Sequence, residues 1–177
     1  MGYIYIRNNK HEVANDIPQD LILPQHNIRI VNTTLGEGVS IWSNLNIYGA
    51  KIGSHTKLAS FIEIRSNVCV GNNCKIEPFV FIPEGVDIGS GVFIGPNVTF
   101  TNDIYPKAVD GQGELIKDYQ ITPTQIGNFA SIGAGCVIRC GITVGQGAML
   151  GAGSLLVDNV GANEIWYAQK AAYKRTL

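Results

Sequence analysis

The stretch 82-IPEGVDIGSGVFIGPNVTF-100 sets a bulky side chain at Ile82, Ile88, Ile94 and Phe100, one every six positions. An amphipathic helix returns its apolar face every three or four residues, so this period is not helical. Strand side chains alternate from face to face, so a short strand followed by a turn fits a six-residue unit. Val86, Val92 and Val98 each stand two positions before a bulky residue, and alternation turns both members of the pair inward. The same beat runs upstream through Leu35, Ile41, Ile47, Ile52, Leu58, Ile64, Val70 and Ile76, with the block at Ile47 one residue short. Downstream it stops after Phe100 and resumes at Ile126, Ile132, Ile138, Val144, Leu150 and Leu156. The polar passage between is expected to be a loop extruded over about residues 103–125. A structureless segment of that length in a compact domain is usually functional or disordered.

Bulk composition agrees with many tight turns: Gly contributes 21 of 177 residues. The length suits one domain spanning 1–177. A formal net charge of -1 offers no basic surface for nucleic acid. No apolar run is long enough to span a membrane and no signal-peptide pattern opens the sequence, so a cytoplasmic location is expected. Cys69, Cys74, Cys136 and Cys140 form no CxxC pair, which speaks against a zinc site. Cys74 and Cys136 fall in the small inward slot and are expected in the core. Residues 1–34 are less regular, with an edge strand expected over Gly2 to Arg7 and a first coil beginning at Ile28 to Val31. Residues 163–177 lose the beat and are expected to form a short C-terminal helix or tail.

The six-residue pattern resembles the hexapeptide repeat of left-handed parallel β-helices, in which three blocks make one triangular coil. That resemblance implies an all-β prism of about six to seven coils. It also places residues about eighteen apart on neighbouring rungs. Ser66, Glu84 and Asn102 then share a corner column that continues to Cys140. Glu63, Phe81, Thr99, Val137 and Leu155 share an outward column, and its large apolar members make a stripe suited to a partner. The known relatives are trimers with active sites between subunits, so a homotrimer is expected.

The segment 100-FTNDIYPKA-108 is similar to a signature of bacterial N-acetyltransferases that act on nucleotide-linked amino sugars of surface polysaccharides. The stretches 61-FIEIRSNVCVG-71, 81-FIPEGVDIG-89, 92-VFIGPNVTFTND-103 and 132-IGAGCVIRCGITVG-145 fit the same group. The resemblance implies transfer of an acetyl group from acetyl-CoA to a dTDP- or UDP-linked 3-amino deoxysugar, with no metal. It assigns Glu84 and Asn102 as catalytic residues. Asp103, Glu63, Arg65 and Tyr105 are expected at the substrate, Asp103 either holding a hydroxyl or tying down the loop root. Ala134 and Ala152 share a column that leaves a shallow groove for CoA, with Arg139, Lys170, Lys174 and Arg175 as candidate phosphate partners. Two departures stand out. Phe79 occupies a place where some relatives carry a polar His or Asn near the amine, and 166-WYAQKAAYK-174 lacks the Gly-x-Pro-Ala turn of the relatives.

An amine attacks once it is neutral, whereas a hydroxyl needs its proton removed during attack, typically by His. His11, His26 and His55 all lie before the loop, which favours an amine acceptor. The alternative is an O-acetyltransferase of the same fold acting on a hydroxyl acceptor. A γ-class carbonic anhydrase needs a three-His zinc site, and an ice-binding solenoid needs flat Thr ladders; neither pattern is present.

Overall fold

The computed structural model describes residues 2–15 and 17–168. Each six-residue block forms a strand of two or three residues and then turns a corner, so the chain winds into a three-faced parallel β-solenoid of about eight turns. Four longer strands open it: β1 (Gly2–Ile6), β2 (Asn9–Val13), β3 (Pro18–Leu23) and β4 (Ile28–Leu35). The first face stacks the end of β4 on Lys51–Ile52, Cys69–Val70, Val86–Ile88, Thr124–Ile126 and Thr143–Val144. The second face stacks β1, Ser40–Ile41, Lys57–Leu58, Lys75–Ile76, Phe93–Ile94, Ser131–Ile132, Met149–Leu150 and Ile165–Trp166. The third face stacks the start of β4, Leu45–Tyr48, Ile62–Ile64, Phe81–Ile82, Thr99–Phe100, Val137–Ile138 and Leu155–Leu156.

The inward side chains are the ones the beat singles out. Ile47, Ile64, Ile82, Phe100, Ile138 and Leu156 form one column, none more than 2% exposed. Burying an aliphatic side chain of this size stabilises by about 1.5–3 kcal/mol, so every rung contributes. The companion slot is as deeply buried at Val68, Val80, Val86, Val92 and Val98. Cys74 and Cys136 fill that slot too. Their thiols donate to the carbonyls of Gly89 (3.1 Å) and Gly151 (3.2 Å), just as the Thr56 hydroxyl donates to the carbonyl of Gly71 (2.8 Å). Small polar side chains thus satisfy corner carbonyls that no strand partner reaches.

Both ends extend beyond the regular beat. β1 adds a rung to the second face through Ile6 beside Ile41, and β2 folds back antiparallel on it. β3 pairs antiparallel with β4. At the far end Val160 bridges to Val144, and Ile165–Trp166 pairs with Met149–Leu150. The solenoid therefore runs through Trp166, past residue 163. The spacing from Leu156 to Val160 is four residues rather than six, which hides this last turn in the sequence. The expected helix or tail, with Lys170, Lys174 and Arg175, falls mainly outside the described residues. Among the described residues no helix is long and apolar enough to cross a membrane.

The short block at Ile47 is a short corner. Rungs pair 17 residues apart at Ile47 and Ile64, and 18 apart at Ile52 and Val70. The extruded segment is accommodated as simply. Thr99 pairs with Val137 and Val86 with Thr124, so the rungs on either side of it stack directly. Between Phe100 and Thr124 the chain leaves the solenoid, forms a small turn closed by an Asp110 N–H to Glu114 carbonyl bond (2.9 Å), and returns.

Candidate functional site

The corner joining the third face to the first gathers the polar residues. Ser66, Glu84 and Asn102 occupy successive rungs, roughly 4.8 Å apart along the stack. The Ser66 hydroxyl donates to Glu84 Oε1 at 3.3 Å, and the Asn102 amide donates to Glu84 Oε2 at 3.4 Å. Tyr119 comes down from the extruded segment and donates its hydroxyl to the same Oε2 at 3.0 Å. The Asn102 amide also reaches the Tyr119 oxygen at 3.5 Å. One carboxylate thus accepts from three side chains on three different turns of chain. Cys140 continues this column by register but is fully buried, so the polar ladder ends at Asn102.

Local geometry explains why the corner stays open. Gly85 has φ of +87°, a left-handed conformation that favours glycine, and a Cβ there would run into the Ile121 side chain. The segment is tied back by the Thr122 N–H donating to the Asn102 carbonyl at 2.8 Å. Asp103 accepts the Tyr105 N–H at 2.8 Å, an Asx turn at the root of the segment. The Tyr105 ring is 82% exposed and is not part of the cluster.

On the third face, just before this corner, lie further polar side chains. Glu63 and Arg65 form an ion pair at 3.0 Å, and the guanidinium lies 5.1 Å from the Phe81 ring centre. Both partners are partly exposed, so the pair is worth little to stability and remains available to a ligand. Tyr48 sits in the register of Arg65. Burial pushes its phenol up, the Arg65 charge opposes that, and the Glu63 and Glu84 carboxylates reinforce it. Tyr48 and Tyr119 join this polar cluster, and the sequence pattern missed both. Tyr48 enters the column only after the one-residue slip at its corner is applied, and Tyr119 is 35 residues from Glu84 in a segment without periodicity.

The expected CoA residues divide between two edges. Ala134 and Ala152 are stacked and exposed at the corner joining the second face to the third, where Gly153 N–H donates to the Ala134 carbonyl at 2.8 Å. Arg139 is exposed on the opposite edge of the third face, the one that carries Glu84. Phe79 lies on the Ala134 edge, stacked on Phe61 at 4.7 Å between ring centres and across the third face from Glu84 of the same chain. Of the histidines, His26 contacts Arg7 at 3.4 Å, His11 is on β2 and His55 turns the corner between the first and second faces. None stands on the Glu84 corner. Among the described residues no group of three or more His, Cys, Asp or Glu side chains could hold a metal ion.

Residues 70–102 and 123–157 match the family model for the bacterial transferase hexapeptide (six repeats), and the gap between them is the extruded segment. Among curated proteins, the bifunctional protein GlmU of Prochlorococcus marinus is 29% identical over 137 residues, covering 74% of this chain and 29% of that protein. GlmU of Neisseria meningitidis serogroup C is 29% identical over 164 residues, 80% of this chain and 36% of its own length. The chain thus spans about a third of these curated relatives. Among solved structures, AntD, an N-acyltransferase from Bacillus cereus in complex with dTDP and 3-hydroxybutyryl-CoA, superposes with a TM-score of 0.64. It is 16% identical, over 77% of this chain and 78% of that one. PerB from Caulobacter crescentus, in complex with CoA and GDP-perosamine, gives a TM-score of 0.60 at 14% identity, over 73% and 54% of the two chains. Rung register and superposition agree on the fold, a three-faced parallel β-solenoid, and its rungs over 70–102 and 123–157 match the bacterial transferase hexapeptide repeat.

Proposed function

We propose that the chain transfers an acyl group from acyl-CoA to the amino group of a nucleotide-linked sugar. The acyl group is acetyl, and the acceptor is a dTDP- or UDP-linked 3-amino deoxysugar. The observation that carries this reading is the Glu84 carboxylate, held by Ser66, Asn102 and Tyr119 at a half-open corner. The complexes of the similarly folded AntD with dTDP and 3-hydroxybutyryl-CoA, and of PerB with CoA and GDP-perosamine, support the same substrate classes.

Glu84 attracts the acceptor as an ammonium ion, which cannot attack until it loses a proton. The carboxylate takes that proton, and the neutral nitrogen adds to the thioester carbonyl. The C–N bond forms, the tetrahedral intermediate collapses, and the C–S bond breaks. The second amine proton ends on the departing CoA thiolate. Asn102 and Ser66 keep the carboxylate aimed. Ala134 and Ala152, lacking long side chains, give CoA close access to the backbone. They lie across the third face from Glu84, so a thioester held on that edge meets Glu84 of a second copy. That arrangement, with the exposed Val137 and Leu155 stripe, supports a homotrimer.

The test is CoA thiol release with acetyl-CoA and dTDP- or UDP-amino sugars, run beside the same sugars carrying hydroxyl in place of amine. Release with the amines alone is expected, and Glu84→Gln should lower kcat by roughly 100-fold with an unchanged sedimentation coefficient. Release with the hydroxyl sugars instead, or full turnover by the variant, overturns the reading.

A further inference from the structure

Phe61 and Phe79 occupy consecutive turns of one corner with φ of 61° and 62°. That left-handed conformation crowds the Cβ of a bulky residue and is ordinarily left to Gly or Asn. The same column obeys the rule on both sides: Asn44 and Asn97 flank the two phenylalanines at φ of 55° and 58°. The phenylalanines are therefore strained twice over, in backbone and in exposure. Their side chains stand 52% and 55% exposed, and the rings lie parallel to within 2° at 4.7 Å. Strain retained at consecutive positions marks a surface whose shape matters.

Phe61 also borders a cleft of about 630 Å³ whose far wall is Ile22 and Pro24. Its rim carries the amides of Asn27 and Asn44, bonded to each other at 3.0 Å, and that of Asn46. Arg29 lies in the cleft, bonded to Asn46 at 3.3 Å and with no carboxylate partner among the described residues. From Phe61 the third face leads in four residues to Arg65, about 13 Å at the rise of an extended strand. Arg65 and Glu84 belong to the polar corner already described. An aromatic platform, amide groups, two arginines and the amine site thus lie in sequence across one face. That is the order of base, diphosphate and amino sugar in a nucleotide-linked substrate.

We propose that the Phe61–Phe79 stack is the nucleobase platform of this chain, with Arg29 and Arg65 taking the diphosphate. The assignment rests on the acyltransferase reading above for the identity of the ligand. Stacking on an aromatic face is tolerant of base identity, so the Asn27, Asn44 and Asn46 amides, not the rings, distinguish one base from another.

The full chain is titrated calorimetrically with dTDP, UDP, GDP and, separately, inorganic pyrophosphate. Phe61→Asn and Phe79→Asn place at these positions the residue that already suits the conformation, so the fold survives. Each variant should bind the preferred nucleoside diphosphate about tenfold more weakly, keep the oligomer mass, and melt at the wild-type temperature or above. Pyrophosphate binding should be unchanged in both. Wild-type affinity for the nucleoside diphosphate in Phe61→Asn overturns the platform and leaves the proposed function standing. Loss of the oligomer in either variant also overturns it, because the pair then serves subunit packing. If no nucleoside diphosphate binds the wild-type chain, the substrate reading falls as well.

Discussion

Glu84 accepts hydrogen bonds on both oxygens while its corner stays open to water, and the donor nearest to it is the one from farthest along the chain. Tyr119→Phe removes that donor, together with the longer contact from the Asn102 amide to the same oxygen. Under the proposed acyl transfer its hydroxyl fixes one oxygen of Glu84, so kcat should fall roughly tenfold, equal to about 1.4 kcal/mol of barrier, while KM for acyl-CoA holds steady. A change confined to KM would make Tyr119 a binding residue. Cys69 offers a second check at this scale. It is the exposed thiol of the four, set between Lys51 and Asp87 on adjacent rungs. Burial pushes its thiol up, the Asp87 carboxylate pushes the same way, and Lys51 pulls it back. A raised thiol pKa leaves less thiolate at a given pH, so one thiol per native chain should label with a disulfide reagent. Its rate should keep climbing above the ordinary thiol range near pH 8.5. Asp87→Asn should speed labelling at pH 8 and Lys51→Met should slow it; equal rates would contradict the electrostatic origin. Glu84 and Asn102 were legible in the sequence because they share a register eighteen residues apart. Tyr119 was not, because nothing periodic places it.

The corner is the element that decides what each coil tolerates. Gly53, Gly71 and Gly89 succeed one another on the corner joining the first and second faces. A Cβ on Gly71 would stand 2.6 Å from the Gly89 carbonyl carbon and from the Ser90 nitrogen, both backbone atoms that cannot step aside. Gly71→Ala should therefore destabilise by about 1–3 kcal/mol, seen as a lower urea midpoint with an unchanged m-value. Gly153 is the opposite case. It has φ of +72° with nothing within 4 Å of a built Cβ, so Gly153→Asn should unfold at the wild-type midpoint within error. The two glycines hold different places in their blocks: Gly71 directly follows Val70 and lies under the next turn, whereas Gly153 comes three places after Leu150 at the left-handed bend. Much the same holds for the ends. From Leu35 to Leu156 each strand follows from the spacing of one aliphatic. The β1–β2 hairpin and the pairing of Ile165–Trp166 follow from contacts that no repeat announces.

For the whole molecule, stability is a sum over turns that touch only their neighbours, so the exposed first edge carries particular risk. β2 guards it with exposed Lys10, His11 and Glu12, charged or polar groups on a strand whose outer hydrogen-bonding groups face solvent. Replacing Lys10 and Glu12 together by Val should leave the monomer fold intact and promote concentration-dependent end-to-end association in light scattering; a variant as monodisperse as the wild type would place the protection elsewhere. The direct stacking of Val86 on Thr124 and of Thr99 on Val137 has a wider consequence. Twenty-odd residues leave one vertex of the prism and come back without shifting any later rung, so the scaffold is blind to their length and content. Such a vertex is a socket. A different peptide can be plugged in while the rungs above and below, and the Ala134–Ala152 vertex with them, carry on unaltered.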